Sequence, residues 1–184
     1  MRARIPALLA AVTLLSLTAC TAEEPAAPSP PPVRQVVQEA AAAGGACILW
    51  DYDFIAEKIG VTFTAAAAFT VDETSTCVVQ TVAGEWPYLA LSVVESTKAD
   101  AGLFADTMTP AKATKTKGLG KAGYRLQTKA GGGHGPAIEI TWLSEAKQVQ
   151  TLRYTFAAGA KTAEIKQMQT RLLSLAKAMN TTNG

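Results

Sequence analysis

The side chain best suited to acid–base chemistry is His134, the only histidine in the 184-residue chain. It lies in a glycine-rich run, residues 130–136, that could be compared with a phosphate-binding loop. A P-loop needs a GxxxxGK motif followed by Ser or Thr and then by a helix. This run instead joins two strand-like segments without a following Lys-Ser or Lys-Thr, which favours a flexible hairpin loop. A serine triad is also disfavoured, because no GxSxG nucleophile elbow occurs.

The acidic residues that could form a catalytic pair have ready structural roles. Asp51 and Asp53 precede a helix-like segment, Glu57 falls on its polar side, and Asp72 and Glu73 stand in a turn-like stretch. His, Cys and Asp are not clustered at the spacing of a metal site. We therefore predict no catalytic residues, no cofactor and no metal site. Since any two acids can meet in a folded chain, a paired-carboxylate hydrolase is kept as the third functional hypothesis.

The amino terminus has the pattern of a secretory signal peptide. Arg2 and Arg4 form a short positive region, and residues 5–19 follow without a charge. A membrane-spanning helix needs about 20 apolar residues, so this run is too short to span a bilayer. It instead fits the apolar core of a signal that is cleaved after export.

Leu17-Thr18-Ala19-Cys20 resembles a bacterial lipobox. Ordinary signal peptidase prefers small residues one and three positions before the cut, and Leu17 is too bulky for the third position. The resemblance implies that residues 1–19 are removed and that Cys20 carries a diacylglyceryl thioether, usually with a further acyl chain such as palmitate. Two or three chains anchor a protein stably. We therefore predict attachment to the outer, extracytoplasmic face of the cell membrane; the alternative is a secreted protein in which Cys20 is accidental.

The charge balance gives no reason to expect a nucleic-acid partner. The chain has 17 basic and 15 acidic residues, and removal of Arg2 and Arg4 with the signal peptide leaves 15 of each. A neutral chain lacks the basic surface that binds phosphate backbones or anionic membranes.

Cys47 and Cys77 remain once Cys20 is assigned to lipid. In an oxidising extracytoplasmic compartment, two such cysteines are expected to form a disulfide. Closing a loop of about 31 residues would stabilise the fold by roughly 3–4 kcal/mol in the chain-entropy account. A redox or metal-binding thiol pair is the alternative, but no CxxC spacing and no neighbouring histidine support it.

Residues 20–45 read as a Pro- and Ala-rich linker between the anchor and a globular domain. Residues 21–33 contain Pro25, Pro28 and Pro30–Pro32, five of the nine prolines of the chain. Proline-rich chain extends by about 3.1 Å per residue, so this part would span about 40 Å. We expect the linker to hold the domain clear of the lipid headgroups. Residues 34–43 have a helix-forming composition and end before two glycines.

The remaining pattern predicts an α+β domain over residues 46–180, followed by a frayed tail at 181–184. A helix is expected to end at Ile59, capped by Asp51 or Asp53 and stopped by Gly60. Further helices are predicted at 96–108 and 162–179, the last with a continuous apolar stripe. Strands are predicted by alternation at 76–83, 86–94, 122–129, 137–143 and 148–156. Residues 61–71 could be strand, loop or poor helix, and residues 109–117 read as an exposed loop.

Short turns between successive strands favour an antiparallel sheet. The expected fold is therefore a single antiparallel sheet of about five strands, with two to three helices packed on one face. Trp142 and Tyr154 fall on the apolar faces of their strands and are assigned to the core. Tyr88 lies opposite the apolar face of its strand and Trp86 lies near the preceding turn, and we predict that these two residues form an exposed binding surface.

From Cys47 onward, the chain resembles a family of actinobacterial cell-envelope lipoproteins that share a domain of unknown function. The matching pieces are Cys47-Ile48-Leu49-Trp50, Gly60, Cys77, Gly118-Leu119-Gly120 and the carboxy-terminal helix. The chain lacks the Asp-Pro that usually precedes the first cysteine and the Trp that usually follows the second. The resemblance implies a disulfide and a lipoprotein, and it carries no activity or catalytic residue.

These observations together predict a non-catalytic ligand- or partner-binding module of the cell envelope. Its partner would be the membrane, through lipid on Cys20, and an unknown envelope protein or a small apolar or lipid ligand. The alternative is an accessory protein–protein subunit of an envelope transporter or sensor complex.

Overall fold

The computed structural model describes residues 38–96 and 98–183. The predicted signal peptide, Cys20 and most of the predicted linker lie outside the described residues.

Seven strands form one antiparallel sheet in the order β1-β2-β3-β7-β6-β5-β4. In chain order the strands are β1 (Ala65–Val71), β2 (Thr74–Gln80), β3 (Tyr88–Glu95), β4 (Thr114–Lys115), β5 (Ala122–Thr128), β6 (Ala137–Leu143) and β7 (Gln148–Thr155). The α+β class with a single antiparallel sheet is confirmed. The expected number of about five strands is wrong.

The two additional strands carry weak sequence signals. In β1, four alanines occupy both sides of the strand, so no alternation of polar and apolar residues marks it. Its conformation is instead determined by seven residue pairs with β2. Thr114 and Lys115 of β4 pair only with Arg125 and Tyr124, inside the segment predicted to be an exposed loop.

Three α-helices accompany the sheet, together with shorter helical turns. The α-helices are α1 (Tyr52–Ile59), α2 (Ala101–Leu103) and α3 (Thr162–Asn183). Two 3₁₀ turns, Ala40–Ala43 and Gly45–Leu49, precede α1, and a π-helical turn, Phe104–Met108, follows α2.

The ends of α1 are as predicted. The backbone N–H of Phe54 donates to Oδ1 of Asp51 at 2.9 Å, which satisfies one of the free donors of the first turn. Gly60 ends the helix with φ of 73°, a left-handed conformation that glycine adopts without steric cost.

The helix predicted for residues 96–108 is wrong in extent and type. The Asp100 side chain accepts from the backbone N–H of Leu103 at 2.9 Å, so the α-helix begins only after Asp100. Gly102 is a poor helix former, and the hydroxyl of Thr107 donates back to the carbonyl of Leu103 at 2.7 Å. A short α-turn followed by a π-turn replaces the expected helix.

The sheet has two faces that are covered differently. Leu91, Leu152, Ile140 and Trp142 are fully buried on the side that packs against α1 and α3, which we call the helix face. Because neighbouring strand residues point to opposite sides, Leu143 and Val149 lie on the other side, which we call the opposite face. The α2 region covers one end of the opposite face through Phe104. One of the three helices therefore does not share the face of the other two.

Packed residues precede residue 46, and the carboxy-terminal helix is longer than predicted. Ala40 is fully buried in the larger core, six positions before the predicted start at residue 46. At the other end, α3 continues past Met179 to Asn183.

Candidate functional site

Cys47 and Cys77 form the predicted disulfide, with their Cα atoms 4.9 Å apart. Both residues are fully buried in the core between the helix face and the Gly45–Leu49 turn. The bond joins that turn to the middle of β2. Its surroundings indicate a structural crosslink, because a buried disulfide is inaccessible to exchange partners.

Trp86, Tyr88 and His134 form a cluster of three rings, which we call the aromatic cluster. The ring centroids of Trp86 and Tyr88 are 5.2 Å apart, and those of Trp86 and His134 are 4.9 Å apart. All three residues are half-buried. These separations lie within the range of favourable aromatic contacts, so the three rings form a single surface feature.

The sheet and the β5–β6 loop bring the aromatic cluster together. Tyr88 begins β3 and pairs with Thr155 of β7 on the opposite face. Trp86 lies two positions before Tyr88 and is joined to Pro87 by a cis peptide bond. His134 comes from the loop between β5 and β6, more than 40 residues further along the chain.

The glycine-rich loop is tied to the sheet. The backbone N–H of His134 donates to the carbonyl of Gly131 at 3.1 Å, and that of Gly135 donates to the carbonyl of Phe156 at 2.9 Å. A Cβ atom at position 135 would lie 2.2 Å from the carbonyl oxygen of Ala157, so only glycine allows this approach. Nδ1 of His134 also makes a hydrogen bond with the carbonyl of Gly135. These contacts hold the histidine ring beside Trp86.

The two residues of the predicted binding surface are therefore adjacent, and the ring of His134 lies beside Trp86. Trp86 and Tyr88 are half-buried, whereas the sequence led us to expect fuller exposure. The sequence predicted only that His134 lies in a flexible hairpin loop. No local signal marks its contact with Trp86, because that contact depends on the pairing of β3 with β7 and of β7 with β6.

A polar network occupies the centre of the opposite face. Arg153 forms an ion pair with Glu139 at 3.4 Å, and the hydroxyl of Tyr124 donates to the other oxygen of Glu139 at 3.2 Å. Burial, the largest influence, raises the pKa of Tyr124 above its usual value. Both carboxylate oxygens of Glu139 are thus engaged within the sheet. The network joins β5, β6 and β7, and its geometry gives Glu139 a structural role.

The acidic residues considered as catalytic candidates lie apart from one another, at a helix cap, in an ion pair and in a turn. Asp51 caps α1, and Glu57 forms an exposed ion pair with Lys58 at 2.9 Å. Asp72 has φ of 51° in the turn between β1 and β2, where Glu73 follows it. Among residues 38–96 and 98–183, no group of three or more His, Cys, Asp or Glu side chains is placed to hold a metal ion.

An open cleft of about 570 Å³ lies beside α1. Ile48, which is 66% exposed, lines it together with Phe63, Glu39 and Asp53. Trp50 also lines it and is only 3% exposed, and its indole Nε1 has no hydrogen-bond partner within the described part of the chain. The mixture of apolar and acidic walls makes this cleft a second place where a small ligand could bind.

A more polar cleft of about 670 Å³ lies at the end of the sheet near the β2 and β3 termini. It is lined by Glu73, Glu95, Ser96 and Lys98, all on or next to loops. It contains no residue of the aromatic cluster.

None of the described helices is both long enough and apolar enough to cross a membrane.

No protein-family model matches the chain. No curated protein matches it either. A crystal structure of a protein from Bacteroides thetaiotaomicron VPI-5482, at 1.50 Å resolution, aligns with a TM-score of 0.32 and 12% sequence identity. The alignment covers 56% of this chain and 40% of that one, so the chain spans well under half of the length of that protein.

Proposed function

We propose that the protein is a lipid-anchored, non-catalytic binding module on the outer face of the cell membrane. The observation that supports a binding role is the aromatic cluster, in which the half-buried ring of Trp86 contacts both Tyr88 and His134. The other two tryptophans are core residues, since Trp50 is 3% and Trp142 0% exposed. Partly exposed, preordered aromatic rings are the side chains that most often dominate protein contacts.

The proposed anchor rests on the sequence, because Cys20 lies outside the described residues. The lipobox-like segment ending in Cys20 and the proline-rich linker support attachment to lipid with a spacer. A module of this kind would meet an envelope protein, or a small apolar or lipid ligand, close to the membrane surface. The runner-up is an accessory subunit of an envelope transporter or sensor complex, which would use the same surface.

Replacing Trp86 with Ala tests the binding role. The full chain, displayed on beads, would be incubated with detergent-solubilised envelope proteins and, separately, with vesicles of extracted envelope lipid. We expect Trp86→Ala to reduce the bound partner roughly tenfold or more, as the loss of a central aromatic contact does. His134→Ala should weaken binding less, because it removes only the ring that supports Trp86.

Ile48→Ala is the matched control, since it truncates an exposed apolar side chain in the cleft beside α1. It should leave binding at the aromatic cluster unchanged. Loss of binding with Ile48→Ala but not with Trp86→Ala would move the site to the cleft. Loss with neither variant would contradict the proposal.

Replacing Cys20 with Ala tests the anchor. The variant should move from the membrane fraction to the soluble extracytoplasmic fraction, because it has no thiol for acylation. Mass spectrometry of the unmodified protein should find acyl chains on Cys20. A Cys20→Ala chain that stays membrane-bound would contradict the lipoprotein assignment.

A further inference from the structure

Strand β1 is an edge strand of the sheet. The Ala40–Ala43 and Gly45–Leu49 turns contact it, and Ala66 and Ala68 pack against the larger core. Among the described residues, it pairs with β2 along one side and with no strand along the other. All seven of its residues, Ala65–Val71, lack charge, and none is proline. Five of the seven positions are exposed, including Phe69 at 52% and Val71 at 61%.

The other edge strand of the sheet, β4, has features that prevent pairing with a second sheet. There β4 is only two residues long and contains Lys115. Very short edge strands and edge lysines are among the devices by which proteins prevent pairing between sheets. β1 has neither feature, and its seven residues are enough to pair with a complete strand of another sheet.

The side chains of β1 form a self-complementary pattern on the opposite face of the sheet. In order along the strand, that face carries Ala65, Ala67, Phe69 and Val71, so two small residues precede two large ones. An antiparallel copy of the strand runs in reverse order. Each large residue of one copy would then stand beside a small residue of the other.

We propose that β1 pairs with β1 of a second copy of this chain, antiparallel and centred on Ala68. In that register Phe69 lies opposite Ala67 of the second copy, and Val71 lies opposite Ala65. The pairing joins the two sheets into one of 14 strands, twice the seven of a single chain. It covers the exposed edges of Phe69 and Val71, and it is consistent with the two-fold symmetry of most homodimers.

The charges near β1 permit this arrangement. Asp72 and Glu73 follow the strand in the turn to β2. In the proposed register, Asp72 of one copy lies opposite Thr64 of the other, and the two acidic turns lie at opposite ends of the paired strands. No like charges are therefore brought together across the interface. This neutral edge favours a second copy over a strongly charged partner, and the proposal does not depend on the aromatic cluster.

The register can be tested by crosslinking two cysteine variants of the full chain, Ala65→Cys and Val71→Cys, prepared separately and then mixed. Directly opposed residues have Cα atoms about 4.5–5.5 Å apart, within reach of a disulfide. Two copies of position 65 would be about 20 Å apart, given about 3.3 Å per strand residue. Both positions lie on the opposite face, away from the Cys47–Cys77 bond on the helix face.

Under mild oxidation, the mixture should form covalent dimer roughly tenfold more than either variant alone, because only the mixture brings opposed thiols within disulfide distance. Light scattering should show that the unmodified chain dimerises. Ala67→Lys should make it monomeric, whereas Val82→Lys, a charge placed on an exposed loop residue, should leave it dimeric. A monomeric unmodified chain, or equal crosslinking by the single variants, would overturn the proposal.

Discussion

Trp86 shows how much of a site can depend on residues that are distant in sequence. Its neighbour Tyr88 is two positions away, and strand alternation was enough to assign Tyr88 to the side away from the apolar face, whereas Trp86 was chosen for its position near the turn. Its contact with His134 required the order of β3, β7 and β6 in the sheet. The histidine therefore belongs to the candidate site for a reason that no short motif records.

Tyr154 gives a prediction for alkaline pH. It is 4% exposed on the helix face, and burial raises its pKa to about 12. A tyrosine in the unfolded chain ionises near pH 10. Its contribution to the free energy of unfolding is thus fully present below about pH 10 and is lost as the pH rises to about 12, since only the unfolded chain ionises in that window.

Urea unfolding at about pH 9 and about pH 11.5 would measure this effect against the Tyr154→Phe variant, which cannot ionise. The unmodified chain should lose more stability than the variant over that interval, because the other tyrosines with raised pKa values, Tyr52 and Tyr124, contribute equally to both. Equal losses would show that Tyr154 ionises freely in the folded protein.

At the scale of elements, tertiary packing determined the secondary structure of segments whose local sequence preference was weak or misleading. The alanines of β1 have no strong strand preference, yet the strand forms because seven pairs with β2 satisfy its backbone. Residues 96–108 have an apolar helical pattern, yet among the described residues 98–108 only α2 and the π-turn form. Asp100 caps α2, so this helix begins later than predicted. Phe104 is buried in the core formed by Tyr124, Leu143 and Val149.

Arg171 adds a hydrogen bond to the apolar contact between α1 and α3. Its Nη1 donates to the carbonyl of Ile59 at 3.0 Å, at the end of α1 where carbonyl groups lack helical partners. A cation there also interacts favourably with the helix dipole. Arg171→Met keeps much of the apolar stem but removes the donor, and should lower the free energy of unfolding by about 1 kcal/mol.

Chemical denaturation of Arg171→Met and Lys166→Met would test this contact. Lys166 is an exposed cation on the same helix, so its replacement controls for the loss of charge. The Lys166 variant should unfold like the unmodified chain. An equal effect of the two substitutions would mean that the hydrogen bond to Ile59 adds nothing.

At the scale of the whole molecule, the disulfide connects the Gly45–Leu49 turn to the sheet. Cys47 and Cys77 are 30 positions apart in the chain. Replacing both with Ala should lower the free energy of unfolding by roughly 3–4 kcal/mol, because the unfolded chain regains the freedom of the closed loop. Denaturation midpoints of the double variant and of Cys20→Ala would measure the effect. Since Cys20 is assigned to lipid, its replacement should leave the midpoint unchanged, and a double variant as stable as the unmodified chain would contradict the structural role.

The sequence alone was sufficient for the features that depend on local chemistry. Strand alternation and helical periodicity predicted five of the strands, α1 and α3, because side-chain burial follows those periods. Asp51 and Gly60 marked the ends of α1 because capping is a local interaction. The cysteine pairing followed from elimination, once Cys20 was assigned to lipid.

Only the tertiary structure decided the features that depend on long-range pairing. These are the strand character of β1 and β4, the placement of the α2 region on the opposite face, and the meeting of His134 with Trp86 and Tyr88. The physical reason is common to all three. Short or alanine-rich segments and glycine loops have small intrinsic preferences, so the backbone hydrogen bonds and packing available from distant segments determine their conformation.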